Sequence, residues 1–439
     1  MPAPLLPLVD RDLQVPLVDG RSVRHVNLDG AASATALQVV ADRVTAVLPW
    51  YASVHRGAGF PSQVSTNLYE DARTRVGAFV DAGENDVVVV TRNTTDATNL
   101  LASAVPGRVL VLDLEHHANL LPWRRAVGGA DVLATQDTVE ATLTSVEAQL
   151  LSGHYTLVAF TGASNVTGEA LPVDKLVAIA RRHGCRTFLD AAQLAAHRRF
   201  SLRASGVDYV AFSGHKVYAP FGAGALVGPR DWLDEAEPYL AGGGAVRRVS
   251  EHDVAWSASP SRHEAGTPNL VGAVALATAT QALAALPQDA WRAHEQGLLR
   301  RLQAGLHEVP GVRVARLWRD SGEVVGVTTF GIKGTDPRML ATFLAAEHGV
   351  SVRDGRFCAH PLLDRLGWPE GAVRASVGVG TSSDDVDRLL EGLDAWVSGR
   401  RHARYRSRNG AWTVVNDPRP APSDLDLAGL ERLPAPCAS

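Results

Sequence analysis

Residues 207–216 read VDYVAFSGHK, an apolar run of β-branched and aromatic residues that ends in Ser213, Gly214, His215 and Lys216. Its length and composition are those of a buried strand. Five other runs share that character: 86–91 (DVVVVT), 108–113 (RVLVLD), 156–161 (TLVAFT), 186–190 (RTFLD) and 224–228 (GALVG). Helix-like stretches separate them, such as 171–183, where Pro172 suits a first turn and Gly184 a stop. Strands alternating with helices predict an α/β fold whose mainly parallel sheet is covered on both faces. In such a sheet, functional groups gather beyond the strands' carboxyl ends.

Each run gives way to polar residues of varied chemistry. After the first come Thr94 and Thr95, whose hydroxyls and helix-opening N–H groups suit either an anion cup or an ordinary N-cap. After the second come His116 and His117; neighbouring side chains diverge, so a ring-stacking or acid–base role suits His116 better than a shared metal. Asn165 comes after the third run, Asp190 and Gln193 after the fourth, and Lys216 after the fifth. Only three of the 43 basic residues are lysines, Lys175, Lys216 and Lys333. The apolar surroundings of Lys216 would lower its pKa and expose a nucleophilic amine. An amine, an anion cup, an aromatic stacker and a carboxylate together match the needs of pyridoxal 5'-phosphate.

Composition excludes other classes. The 439 residues are 46% hydrophobic and 21% charged, with a net charge of −4, which fits a globular chain with a sizeable core. No secretory pattern opens the sequence and no apolar run approaches the roughly 18 residues of a membrane span. The three separated cysteines, Cys185, Cys358 and Cys437, make neither a disulfide framework nor a C-x-x-C metal pair, and a cytoplasmic location is expected. No nucleic-acid partner is expected: the basic run at 399–408 (GRRHARYRSR) reads as a solvated tail. No G-x-G-x-x-G comes after the first strand, against a nicotinamide dehydrogenase. Organisation along the chain predicts an arm at 1–24, a large domain at 25–285, a smaller α+β domain at 286–399 and a flexible Pro- and Arg-rich extension at 400–439.

Ten motifs in order then carry a family likeness: NLDGAAS (27–33), HRG (55–57), TRNTTDATN (91–99), LEHHANLLPW (114–123), SNVTGE (164–169), DAAQ (190–193), SGHK (213–216), EAGTPN (264–269), RDGRFCAHPLL (353–363) and VRAS (373–376). The chain resembles the class V aminotransferase superfamily of PLP fold type I, and within it the group II cysteine desulfurases and selenocysteine lyases. The resemblance implies a seven-stranded sheet in the large domain and a homodimer. It implies that Lys216 carries the cofactor and moves protons at the substrate carbon. Asp190 would pair with the pyridine nitrogen, Gln193 with the phenolate oxygen, and His116 would stack on the ring. Thr94, Thr95, Ser213 and His215 would hold the phosphate, and Thr267 would reach the phosphate of the neighbouring subunit. Asn165 would sit near the phenolate and the substrate carboxylate, which Arg374 would grip. NLDG and DAAQ depart from the family's usual Asp-Asn and Asp-Gly-Ala-Gln without removing a catalytic group.

Reaction choice turns on Cys358, in a loop-like segment beside Arg353, Arg356 and His360. In the resembling desulfurases this cysteine attacks the sulfur of bound L-cysteine, becomes a persulfide and leaves alanine; a sulfur-acceptor protein is a possible partner. Nearby guanidinium groups would favour the thiolate if they approach it. A C–S β-lyase, selenocysteine lyase, aminotransferase or epimerase could use the same cofactor site, and a β-lyase would tolerate loss of Cys358. Cys185, beside a strand, is expected in the core, and Cys437 in the tail.

Overall fold

The computed structural model describes residues 2–425. At its centre lies a sheet of seven strands: β1 (Asp86–Thr91), β2 (Val109–Leu112), β3 (Ala130–Leu133), β4 (Leu157–Thr161), β5 (Arg186–Asp190), β6 (Tyr209–Ser213) and β7 (Gly224–Pro229). Their spatial order is β1-β7-β6-β5-β4-β2-β3. Only β7 runs antiparallel to its neighbours. The apolar runs place six of these strands; β3 (ADVL) is an edge strand that buries no residue fully, so it lacks the run that marks the others.

Alternation along each strand divides the side chains between two cores. Val87, Val89, Val109, Val111, Leu157 and Phe188 fill one face. Val88, Leu110, Leu112, Val158, Phe160 and Leu189 fill the other. Helices α1 (Gln38–Val47), α2 (Phe60–Phe79) and α3 (Thr94–Ala104) belong to the large domain. A fourth, α4 (Leu270–Ala284), is apolar almost all round because it packs against both α1 and α2.

The smaller domain is an antiparallel sheet of β8 (Val312–Val314), β9 (Val327–Ile332), β10 (Arg353–Gly355) and β11 (Ala372–Ser376), ordered β8-β9-β11-β10. Helices α5 (Gln288–Glu308), α6 (Pro337–His348), α7 (His360–Arg365) and α8 (Ser383–Val397) accompany it. Val26 and Leu28 are fully buried in its core, and Val26–Asn27 pairs in parallel with Val350–Ser351. The segment expected to open the large domain at residue 25 is thus stitched into the smaller one.

The flexible extension expected from residue 400 is corrected as far as residue 415. Strands β12 (Tyr405–Arg408) and β13 (Ala411–Val414) form a hairpin docked on α6. Buried Glu347 holds it by accepting from His402 N (2.8 Å), Ala403 N (3.1 Å) and Tyr405 Oη (2.6 Å). Trp412 Nε1 donates to Asp336 at 2.9 Å. Cys437 and the prolines at 434 and 436 lie outside the described residues. Among the described residues no single helix is long and apolar enough to cross a membrane.

Candidate active site

A cavity of about 250 Å³ opens at the carboxyl ends of the central strands and is closed by residues of the smaller domain. It gathers Thr94, Thr95, His116, Asn165, Asp190, Gln193, Ser213, His215, Lys216, Cys358 and Arg374, eleven of the twelve site residues expected from sequence. Thr267 is the exception: it is exposed and lies outside this cavity.

The anion cup forms where β1 passes into α3. Asn93 caps that helix by accepting from Asp96 N at 3.0 Å. Thr94 uses both its N–H and its hydroxyl on Ser213 Oγ, each at 2.7 Å, which ties the start of α3 to the end of β6. Thr95 and His215 complete the rim of hydroxyl and imidazole groups.

Asp190 ends β5 in a fully enclosed position. Burial raises its pKa, opposed by the N–H of Ala192 at 2.9 Å and by Lys216. Burial lowers the Lys216 ammonium to about 8; Asp190 opposes the shift and Arg374 adds to it. His116 is lowered to about 3, first by burial and then by Lys216, His117 and Arg374. Its Nδ1 accepts from Ala118 N at 3.0 Å, so the proton of the neutral ring is assigned to Nε2. His215 is likewise lowered, to about 4, by burial and Lys216. The Gln193 amide donates to Ala31 O at 2.8 Å from the cavity wall.

Arg374 reaches the cavity from β11. Burial lowers its pKa to about 10 despite nearby Asp29. Its Nη1 donates to Asn165 O at 2.9 Å, and its Nη2 lies 3.6 Å from Asp29 Oδ1, just beyond hydrogen-bond length. Arg374 Nε and Asp29 Oδ1 have no hydrogen-bond partner. A buried guanidinium with an unused N–H is suited to an incoming carboxylate.

Cys358 lies on the loop between β10 and α7. Phe357 and Cys358 both adopt left-handed backbone with φ of 52°. The loop is held by Asn165 Nδ2, which donates to Phe357 O at 2.8 Å, and by His117 N, which donates to Cys358 O at 2.8 Å. Of the arginines near it in sequence, Arg353 lines the cavity, whereas Arg356 is occupied by Asp364 and by His360 O. His360 packs its ring 4.5 Å from that of His117. Cys185 is buried, with its thiol on Tyr155 O at 3.0 Å and its pKa raised by burial.

Sequence reasoning missed the contacts of Asp29, Asn93 and Phe357, and it expected Arg353 only as a neighbour of Cys358. All four lie inside the motifs 27–33, 91–99 and 353–363, but no spacing announces their contacts. The motif at 264–269 also owes its place to a residue that was not singled out. Half-buried Glu264 accepts from Tyr69 Oη (3.0 Å), Arg73 Nη1 (2.7 Å) and Val90 N (2.7 Å), fixing the loop that presents Thr267.

The family profile of aminotransferase class-V matches residues 26–389. A probable cysteine desulfurase of Pseudomonas aeruginosa is 38% identical over 378 residues, covering 84% of this chain and 92% of its own. A cysteine desulfurase of Dickeya dadantii is 35% identical over 391 residues, covering 86% of this chain and 92% of its own. The apo structure of a cysteine desulfurase from Thermococcus onnurineus NA1 superposes with a TM-score of 0.80 at 30% identity, over 91% of this chain and 100% of that one.

Proposed function

The chain belongs to the class-V aminotransferase family, and from that premise we propose that it is a pyridoxal 5'-phosphate-dependent cysteine desulfurase, converting L-cysteine to L-alanine and leaving the sulfur on Cys358 as a persulfide. The observation that carries the proposal is the convergence of Lys216, Arg374 and Cys358 on one cavity. The residues present fit the cofactor: a buried carboxylate on β5, a desolvated amine on the loop after β6, and a hydroxyl cup at the start of α3. Thr94, Thr95, Ser213 and His215 would hold the phosphate, Asp190 would keep the ring nitrogen protonated, Gln193 would serve the phenolate and His116 would stack on the ring. Bound there, the cofactor supplies an electron sink for charge developing at the substrate's α-carbon.

The remaining work falls to the chain's own groups. With a pKa near 8, Lys216 is a substantial fraction neutral amine at mildly alkaline pH, able to attack a carbonyl and to accept the α-proton. Arg374 orients the substrate carboxylate, and Asn165 O anchors that guanidinium. The Cys358 thiolate attacks the substrate sulfur: an S–S bond forms, the substrate C–S bond breaks, and its electron pair stays with the carbon skeleton. Proton return to that skeleton gives alanine. Lys216, carrying the abstracted α-proton, is the donor for that stage, while neutral His116 offers the hydrogen bond of its Nε2–H.

A homodimer in which Thr267 completes the phosphate site of the second copy belongs to the proposal, as does sulfur delivery to an acceptor protein in the cytoplasm. Cysteine turnover, with alanine and persulfide both quantified, tests the reading. Cys358→Ala is expected to abolish both products from cysteine; undiminished alanine formation by that variant would replace the desulfurase with a C–S β-lyase.

A further inference from the structure

Three links join Arg374, Asn165 and Phe357 into a closed ring. Arg374 Nη1 donates to Asn165 O (2.9 Å), Asn165 Nδ2 donates to Phe357 O (2.8 Å), and the Phe357 ring lies with its centroid 5.1 Å from the Arg374 guanidinium carbon. Phe357 is itself buried and lines the cavity next to Cys358. We propose that Phe357 is a positioning residue that couples Arg374 to the Cys358 loop, so that a carboxylate arriving on Arg374 changes the presentation of the Cys358 thiol. The proposal rests on the reading of Arg374 as the residue that takes the substrate carboxylate.

The backbone makes such coupling possible. Two successive non-glycine residues in left-handed conformation persist only where their surroundings hold them. Here the holders are the Asn165 amide on the Phe357 carbonyl and the His117 N–H on the Cys358 carbonyl. With both carbonyls pinned, a displacement of the Phe357 side chain is taken up by the torsions around Cys358. The side chain has reason to move, because a guanidinium is drawn to an aromatic face and a carboxylate competes for the same cation. Arg374 Nε, unpartnered and buried, is the donor still open to that carboxylate.

The alkylation measurement needs no sulfur chemistry, so its failure is distinguishable from failure of the desulfurase reading. In holoenzyme, the rate of iodoacetamide alkylation at Cys358 is followed by mass spectrometry of its peptide, with saturating L-alanine or with ethylamine, which lacks the carboxylate. In the wild type, L-alanine is expected to change the rate by about fivefold or more and ethylamine to leave it unaltered. Phe357→Tyr keeps the ring and the response. Phe357→Leu and Phe357→Met, both apolar and one close in volume, are expected to lose the response and to raise KM for L-cysteine about tenfold. Equal effects of L-alanine and ethylamine on the wild type would overturn the coupling without recourse to any variant. A full L-alanine response with wild-type KM in the Leu or Met variant would reduce Phe357 to core filling.

Discussion

Lys216 shows how much chemistry a single position in a sequence can disclose. Its strand-end position and apolar neighbours already imply a desolvated amine, and the cavity lowers its pKa to about 8. Because the neutral form is the reactive one, cofactor uptake by apoprotein should fall as pH drops below 8, approaching tenfold per unit. A stopped-flow loading series between about pH 6 and 11 checks this, with N-acetyl-lysine methylamide as reference, whose own break lies near the unperturbed value of about 10.4. A shared break for protein and reference would mean the amine is solvated. Arg374→Lys should raise KM for L-cysteine by about ten- to a hundredfold, since a point charge replaces a two-pronged donor; steady-state kinetics read it directly. Asp190, Ser213 and Lys216 were legible because each ends a strand or comes directly after one. Phe357 and Asp29 were not, because their place in the site depends on how β10, β11 and the segment near residue 29 are carried against the large domain.

Among elements, legibility followed burial. Strands β1, β2, β4, β5, β6 and β7 are mostly interior, and their apolar runs announce them. Edge strand β3 and hairpin β12–β13 carry mixed sequence, and the hairpin's arginines make its composition resemble a loose tail. Arg404, Arg406 and Arg408 recur at every second position and are exposed, an arrangement that discourages pairing at an open strand edge. What docks the hairpin is a carboxylate 55 residues before its first bonded partner in the chain, Glu347. Replacing it, Glu347→Ala, removes three hydrogen bonds to one buried charged acceptor and is expected to cost about 3 kcal/mol. Urea unfolding gives the magnitude, and tryptic cleavage within 400–408 that is faster than in the wild type would place the loss at the hairpin. Unchanged protection there would mean that Trp412 and the packing around Tyr405 suffice.

Across the whole molecule, the site exists only while the two domains stay in register, and a buried charge cluster spans their junction. Glu295 of α5 is 1% exposed, paired with the His197 ring and with Arg198 Nη1 at 2.5 Å; Arg198 also reaches Glu323 at 2.8 Å and Val324 O at 3.2 Å. His197 and Arg198 come just after the stretch that supplies Asp190 and Gln193, whereas Glu323 and Val324 lead into β9, so this cluster ties the cofactor-holding loop to the sheet that carries Arg374. Burial alone would raise the Glu295 pKa, but His197 and Arg198 outweigh it and hold the carboxyl below its usual range. A carboxyl depressed on folding stabilises above its unfolded pKa of about 4.3, and that contribution is lost as pH falls through the folded value. Arg198→Met should therefore act in two ways. It leaves Glu295 buried beside only His197, costing about 3 to 5 kcal/mol at neutral pH, and that loss shrinks as pH falls, because the carboxyl freed from Arg198 takes up its proton more readily in the folded state. The paired replacement Arg198→Met with Glu295→Leu removes both charges and should regain a large part of that loss, because a buried ion pair exchanged for apolar volume is often close to neutral. Chemical denaturation of the two variants at pH 7 and near pH 4 separates the cases: a double variant as unstable as the single one would show that these side chains hold the junction through shape rather than charge.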